Sequence, residues 1–403
     1  MLQLNVNISQ KKSLAIFLST RGSIAITAQI LTITVGWQMY EVTKSAFFLG
    51  LIGLVQFLPM FLLTLVVGYV ADRFDRRIIV SVCQAIQCAG VLALAVGSLS
   101  GWINKESILL IVFFIGAAYS FEGPSLQALL PNIVSKENFP KAAAASASVF
   151  QTATILGPAL GGILYSLGAG TVYIIASALS LINCIIIFFV STINGSVKKE
   201  PASIKTIFGG IAFIKSKPDI LGAISLDLFA VLFGGATALL PAFADKVLHV
   251  GSFGLGLLRS APAAGALTVS IYLARKPLRN RVGYKMFGAV GVFGISTIIF
   301  ALSKSFLLSL IVLAIMGAAD VVSVVVRSTL VQMGTPDEIR GRVSSVNMLF
   351  IGTSNQLGEF ESGVTSLWFG GIVPAVIVGG IGTLVVVFLW MKLFPGLLHA
   401  KQY

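Results

Sequence analysis

Read along the chain, long apolar runs alternate with short clusters of charge, and the apolar runs are too long for the helices of a soluble domain. A helix needs about 20 apolar residues to cross a bilayer. Twelve stretches meet that length: 13–40, 46–71, 78–99, 107–130, 140–167 and 171–193, then 219–244, 252–274, 284–302, 306–334, 343–367 and 370–394. Several exceed the minimum, which permits tilt. The segment from Met1 to Lys12 is too polar to supply the apolar stretch of a cleaved leader, so the first span is expected to stay in the protein. Between the sixth and seventh spans lies a polar segment, Asn194 to Pro218, long enough to separate two halves. The expected organisation is therefore 1–193, a linker 194–218, and 219–403. Within the linker, Ile204, Ile207, Phe208, Ile211, Ala212 and Ile214 recur at three and four, as on an amphipathic helix lying on the inner leaflet. A tether with some helix reads the same residues equally well.

Composition sharpens this picture. Of 403 residues, 56% are hydrophobic and 11% charged, against about 25% charged in a soluble domain. Too few charges remain to cover a water-exposed surface, so an all-α integral membrane protein is expected. Net charge is +13, from 28 basic and 15 acidic residues. In a soluble protein such an excess points to nucleic acid, but its placement here excludes that reading. With the N-terminus taken as cytoplasmic, 21 of the 28 basic residues fall in inner segments, while the outer loops hold only Lys44, Lys105, Lys246 and Lys304. Positive-inside bias of this size places both termini in the cytoplasm. Cys83, Cys88 and Cys184 all sit in apolar runs, as small buried hydrophobes. Nothing calls for a cofactor or a metal, and no phosphate-binding loop supports a fused ATPase.

The halves also repeat. An offset of 200 pairs Leu130 with Leu330, Ser135 with Thr335 and Phe150 with Phe350, and one residue further on Gly157 meets Gly358 and Gly162 meets Gly363. Parallel repeats of this kind are one design for alternating access, with the path between the halves.

Gly68, Asp72, Arg73, Arg76 and Arg77, spaced Gly-x-x-x-Asp-Arg-x-x-Arg-Arg after the second span, resemble the loop signature of the major facilitator superfamily, with Asp75 where Gly is usual. A degenerate counterpart, Arg275, Lys276 and Arg279, follows the eighth span. Gly157, Pro158, Gly161 and Gly162 are similar to the motif of that superfamily's exporters, without its upstream glycines. The runs around Gly317 to Asp320, Arg327, Thr335 to Arg342 and Ser354 to Gly363 resemble the bacterial branch of enterobactin exporters and drug-efflux proteins. The resemblance implies the major facilitator fold, twelve transmembrane helices in two six-helix halves. It further implies an inner-membrane exporter of a small organic molecule, driven by proton entry. It leaves siderophore and drug both open.

Each motif has a physical rationale. Asp72 at a cytoplasmic helix end can accept from the N-terminal amides of a helix in the other half, with Arg73, Arg76 and Arg77 pairing with acids around it. This would latch a cytoplasmic gate, unless the charges serve topology alone. Gly157, Pro158, Gly161 and Gly162 let a helix bend and a neighbour approach, or simply pack. Charges inside spans cost about 2.5 to 3.5 kcal/mol each on insertion scales, so Arg21, Glu122, Asp227, Arg259, Asp320, Arg327, Glu359 and Glu361 require partners or a wet cavity. Proton coupling needs a carboxylate with both burial and a nearby cation to tune it. Asp227 and Glu122 with Arg21 as partner are the first candidates, then Asp320 with Arg327 at i and i+7. A structural salt bridge is the competing reading for each. Glu359 and Glu361, two apart on a helix, must diverge. Gln29, Trp37, Gln38, Tyr40, Gln56, Tyr119, Gln127, Gln151, Asn347, Asn355 and Gln356 suit a cavity for an amphipathic molecule, or hydrogen bonds between helices.

The expected protein is thus a monomeric, non-enzymatic transporter whose partners are a small molecule, protons and the lipid bilayer. An importer of a siderophore or peptide, or a non-transporting sensor or assembly factor on the same scaffold, would share its sequence features.

Overall fold

The computed structural model describes residues 2–135, 137–192, 204–276, 278 and 280–400. Within its helices, the side chains of residues 2–9, 65, 68, 71, 72, 204–208, 337, 338, 340, 341 and 345 lie outside the described set. Fifteen α-helices follow one another with no strand among the described residues. They are α1 (Leu2–Thr43), α2 (Ala46–Arg73), α3 (Arg76–Ser100), α4 (Lys105–Leu129), α5 (Phe139–Tyr165), α6 (Ala169–Ile186), α7 (Ile204–Ser216), α8 (Pro218–Phe233), α9 (Leu240–Lys246), α10 (Gly251–Arg275), α11 (Val282–Leu302), α12 (Phe306–Met333), α13 (Asp337–Trp368), α14 (Ile372–Leu393) and α15 (Pro395–Leu398).

Local chemistry explains the ends. Asp75 caps α3 by accepting from the amide of Arg77, Asn104 caps α4 through Ser107, and Ser305 caps α12 through Leu308. Gly101, at φ 75°, closes α3 in the left-handed conformation. Prolines open α5 and α8 in their first turns, where their missing N–H would be unpaired anyway.

Among the described residues, eleven segments are long and apolar enough to cross a membrane. The expected eleventh span, 343–367, is helical throughout as part of the 32-residue α13, but it is not among those eleven. Its content of Asn347, Asn355, Gln356, Glu359 and Glu361 lowers its hydropathy. Large apolar side chains stand exposed at a spacing of four: Leu307, Ile311 and Ile315 on α12, and Ile381, Val385 and Leu389 on α14. In a chain of this composition these stripes face lipid.

The chain forms two compact units, Met1–Val42 with Leu58–Ala202, and Thr43–Phe57 with Ser203–Tyr403. The first turns of α2 thus group with the second unit, where Gly50 and Gly53 lie against Gly363 and Glu359 of α13. In the first unit, Phe17, Ile24, Val80, Leu126, Ile133 and Val190 form a core between α1, α3, α4 and the segment after α6. The second unit buries Leu226, Met286, Phe287, Val326, Leu330 and Val387 from α8, α11, α12 and α14.

Two expectations change. The linker helix forms as α7, but Ile211 and Ile214 pack on Ile220, Val343 and Val346 within the second unit, so this part of its apolar face is covered by protein and not by the leaflet. Residues 193–203 lie outside the description. The seventh span is not one helix either. α8 ends at Phe233, a 3-10 turn covers Gly235–Leu239, and α9 restarts with Pro241 in its first turn. Gly235 permits the break, because a Cβ there would lie 2.1 Å from the carbonyl oxygen of Gly358.

Candidate functional site

The second unit concentrates charge around α12. Asp320, Ser323 and Arg327 occupy one face at i, i+3 and i+7. The Arg327 guanidinium lies 3.2 Å from Asp227 on α8, with the two side chains only 3% and 6% exposed. Ser323 donates to Asp227 at 3.5 Å, and Arg327 donates to Asn347 on α13 at 3.3 Å. Asp320 and Asp227 both line a cavity of about 10 Å³, room for a single water molecule. Arg327 therefore serves the acid on the neighbouring helix. It does not pair with Asp320, since seven residues separate their Cα atoms by about 10.5 Å along the axis.

The break in the seventh span creates a second charged group. Non-helical backbone at membrane depth needs its carbonyls satisfied, and Arg259 on α10 donates to the freed carbonyl of Thr237 at 2.7 Å. The same guanidinium lies 3.5 Å from Glu359. The Glu361 carboxylate, two residues along α13, makes no hydrogen bond or ion pair among the described residues, in keeping with the divergence of i and i+2.

In the first unit, Glu122 is 2% exposed and forms no ion pair among the described residues. Gln84 donates to one of its oxygens at 2.5 Å and Gln87 to the other at 3.0 Å. Gln84 also donates to Gln87, and Asn183 to Gln84 at 3.5 Å, so three helices share one amide network. Arg21 forms no ion pair with either candidate acid among the described residues. Its guanidinium lies over the Phe150 ring, with a buried Nε that has no hydrogen bond. Gln84, Gln87 and Asn183 escaped the sequence reading. Two glutamines three apart in the apolar third span were the available signal.

At the loop after α2, Gly68 and Asp72 lie in the helix, and their side-chain positions are outside the described residues. Arg76 donates to the carbonyl of Ala128 at 2.8 Å and Arg77 to that of Val190 at 3.0 Å, near the C-terminal ends of α4 and α6, where cations complement the helix dipole. Arg77 also holds Asp75 at 2.6 Å, and this hydrogen bond keeps the Asp75 carboxyl below the usual carboxylate range. Arg73 stays exposed, stacked on and bonded to Tyr69. Arg76 thus binds backbone of its own unit, while Arg77 binds both backbone and Asp75, the acid two residues before it.

The exporter-like glycines are close-contact positions. A Cβ at Gly157 would fall 2.5 Å from Cβ of Gln29, and one at Gly161 would fall 3.1 Å from Cα of Ile30, so α5 lies directly on α1. Gly162 and Pro158 are buried in the same helix. Gly358, the repeat partner of Gly157, meets Val231 and Leu232 of α8 in the corresponding way.

Among the cavity candidates, Trp37 and Gln38 are committed elsewhere. Trp37 donates to Glu41 at 2.7 Å, and Gln38 donates to Ser98 and accepts from Tyr173. Tyr165 also donates to Glu41. Asn355 is exposed, while Gln29, Gln56, Tyr119, Gln151 and Gln356 are part-buried. The Gln356 carbonyl oxygen is buried without a partner.

A bundle of membrane-spanning helices with buried charge is the build of a transporter. Residues 17–359 match the model of the Major Facilitator Superfamily, and the chain belongs to that family. It is 25% identical to the enterobactin exporter EntS of Citrobacter koseri over 396 residues, covering 96% of this chain and 93% of that protein. Among solved structures, the nucleoside transporter NupG is similar at a TM-score of 0.66 and 17% identity, covering 95% and 99% of the two chains. A bacterial homologue of the human lysosomal transporter Spinster is similar at 0.74 and 14%, covering 96% of each. The chain is thus a multi-pass, non-enzymatic membrane transporter of a small molecule.

Proposed function

We propose that this protein exports a small amphipathic organic compound, a siderophore or a drug, across a bacterial inner membrane by alternating access coupled to proton entry. The observation that carries the coupling is the buried Asp227–Arg327 pair with Asp320 on the same small cavity. A buried acid held by a guanidinium, with a second acid on the same cavity, offers a place where a proton can be exchanged for a salt bridge. Glu122, held only by amides, is a second carrier of the same kind in the other unit. Glu359 and Glu361 follow as further coupling candidates, and Arg21 is proposed as a cavity cation.

Similarity to the enterobactin exporter supports the direction and the substrate class. Gly68, Asp72 and Arg73, with Arg76 and Arg77 anchored behind them, form the proposed cytoplasmic gate. Gly157, Pro158, Gly161 and Gly162 form the tight α1–α5 seam that limits leakage. Gln29, Gln56, Tyr119, Gln151, Asn355 and Gln356 are the proposed substrate contacts. The reading places both termini in the cytoplasm, treats 1–193 and 219–403 as the two moving halves, and takes the protein as a monomer.

Inverted membrane vesicles with an imposed pH gradient, acid inside, test this reading. Accumulation of a fluorescent amphipathic dye or a catecholate siderophore, lost when the gradient is collapsed, is the expected result. Uptake in right-side-out vesicles instead would assign an importer, and no flux in either orientation would assign a sensor.

A further inference from the structure

Glu41, near the end of α1, lines a cavity of about 380 Å³ that none of the proposed transport residues lines. The cavity lies among the last turns of α1, α3 and α5 and the first turn of α6, all within the first unit. On the proposed topology this end faces away from the cytoplasm. Its volume falls in the range of small-molecule pockets, about 300–1,000 Å³. The turn from α5 into α6 that forms one rim is made at Gly168, with φ 88°. Gly170 lets α3 close against it, since a Cβ there would lie 2.7 Å from the Leu99 side chain.

An exposed glutamate at a helix end ordinarily samples many rotamers. Glu41 is exposed but pinned. Trp37, one turn back on α1, donates to one carboxylate oxygen at 2.7 Å, and Tyr165 at the end of α5 donates to the other. The two rings brace each other edge to face, with centroids 6.3 Å apart, and both are buried. Alongside, Gln38 accepts from Tyr173 and donates to Ser98, Ser98 donates to the carbonyl of Leu94, and Thr171 donates to that of Leu167. These hydroxyl and indole donors are all spent within the site. What it offers a ligand is acceptor capacity, chiefly the remaining lone pairs of a fixed carboxylate. No lysine or arginine pairs with Glu41 among the described residues, and Lys44, three residues on, lies 3.7 Å from Asp245.

We infer that this cavity binds a small organic molecule carrying a primary ammonium group, with the ammonium on Glu41 and its apolar body against the exposed side chains of Leu99 and Leu167. An ammonium ion brings three N–H donors on one charged centre, which suits a pinned carboxylate whose neighbours have no donor left to give. A metal ion is a poor match, because calcium takes about six to eight oxygen ligands and this cavity offers a single carboxylate. The positive end of α6 on the far rim confines the cation to the Glu41 side. The site goes beyond the transport reading, since it shares no residue with the proposed coupling groups or substrate contacts.

Isothermal titration calorimetry of the full chain in neutral detergent at pH 7 tests it. The probe is phenethylammonium chloride and the control is the neutral phenethyl alcohol, each corrected for protein-free micelles. The ammonium compound should bind at least about tenfold more tightly than the alcohol, the effect of one charged hydrogen-bonded contact. Glu41→Gln should bring the two to the same affinity. Tyr165→Phe keeps the charge but frees the carboxylate, and should weaken the probe less than Glu41→Gln does. Leu167→Lys, at an exposed rim position where packing is not disturbed, puts a competing positive charge on the cavity. It should also remove the preference for the ammonium compound, and it covers the case in which the Glu41→Gln protein fails to fold. Equal affinity for the two compounds in the wild type would overturn the inference, and so would an undiminished preference in Glu41→Gln or in Leu167→Lys.

Discussion

Arg327 of α12 and Asp227 of α8 lie 3.2 Å apart, and neither side chain is more than 6% exposed. Removing one partner of a buried pair leaves the other charge without compensation, at a cost of about 3–5 kcal/mol. Arg327→Met should therefore lower stability by that order, read as loss of monodisperse protein in detergent. Asp227→Asn keeps a side chain of the same shape that still bonds Ser323 and accepts from Arg327, so it should fold. If the pair exchanges a proton during transport, the Asn variant should lose pH-driven flux entirely while retaining substrate binding. Wild-type flux from Asp227→Asn would take this acid out of the coupling.

Glu122 gives the opposite balance. It is buried with amides and forms no ion pair among the described residues, so its charge is opposed by burial and supported by hydrogen bonds. Glu122→Gln should match or exceed the wild type in thermal stability and still lose coupled flux. Glu122→Ala should instead orphan Gln84 and Gln87 and cost about 1–3 kcal/mol. Melting curves of the two variants separate these outcomes, and a Gln variant less stable than the Ala variant would refute the amide-network account.

The two acids show what the sequence could and could not reveal. Both were visible as charges in apolar runs, because an ionisable residue in a span stands out against its neighbours. Their partners were not visible, since Asp227 and Arg327 are a hundred residues apart and Glu122 is met by glutamines that resemble ordinary polar spacing. Helix positions were legible from hydropathy alone. The break after Phe233 was not, because Gly234 and Gly235 read as tolerable within a membrane helix until the carbonyl of Gly358 is seen beside them. The inner face of α7 misled for a related reason. Amphipathic spacing says that one side is buried and does not say whether lipid or protein buries it.

The break in the seventh span makes Arg259 a structural necessity. Its bond to the Thr237 carbonyl and its pairing with Glu359 should both be lost in Arg259→Met. That leaves a buried carbonyl unpaired, at about 1–3 kcal/mol. Arg259→Lys should recover only part of the loss, because a lysine is a point charge without the fork that reaches two acceptors. Thermal unfolding of the three proteins, ordered Arg above Lys above Met, checks this.

Gly157 and Gln29 set the spacing of α5 on α1. Because a Cβ at 157 would lie 2.5 Å from Cβ of Gln29, an atom fixed to the backbone, Gly157→Ala must push the helices apart. Overpacking of this kind costs about 1–3 kcal/mol. Gln29→Gly in the same chain should restore most of the stability, whereas Gly123→Ala, with nothing within 4 Å of its Cβ position, should cost nothing measurable.

Asp75 occupies a position where the superfamily signature usually has Gly, and its chemistry explains how the substitution is accommodated. It accepts from the Arg77 amide as the cap of α3 and from the Arg77 side chain. Replacing an Asp cap by Ala costs about 0.5–2 kcal/mol, and by Gly only a few tenths, so Asp75→Gly should be close to silent and Asp75→Ala should fray the start of α3. The hydrogen bond from Arg77 lowers the folded pKa of Asp75 below its ordinary 3.8. A depressed folded pKa means that the stabilisation is complete above the unfolded value and is lost as pH falls through the folded one. Protection of the first α3 amides from hydrogen exchange should therefore hold unchanged from pH 7 to pH 5 in the wild type, once intrinsic rates are corrected. It should fall only below about pH 4, and Asp75→Ala should show the reduced protection at every pH. Loss of protection between pH 7 and pH 5 in the wild type would mean that a different group controls this helix end.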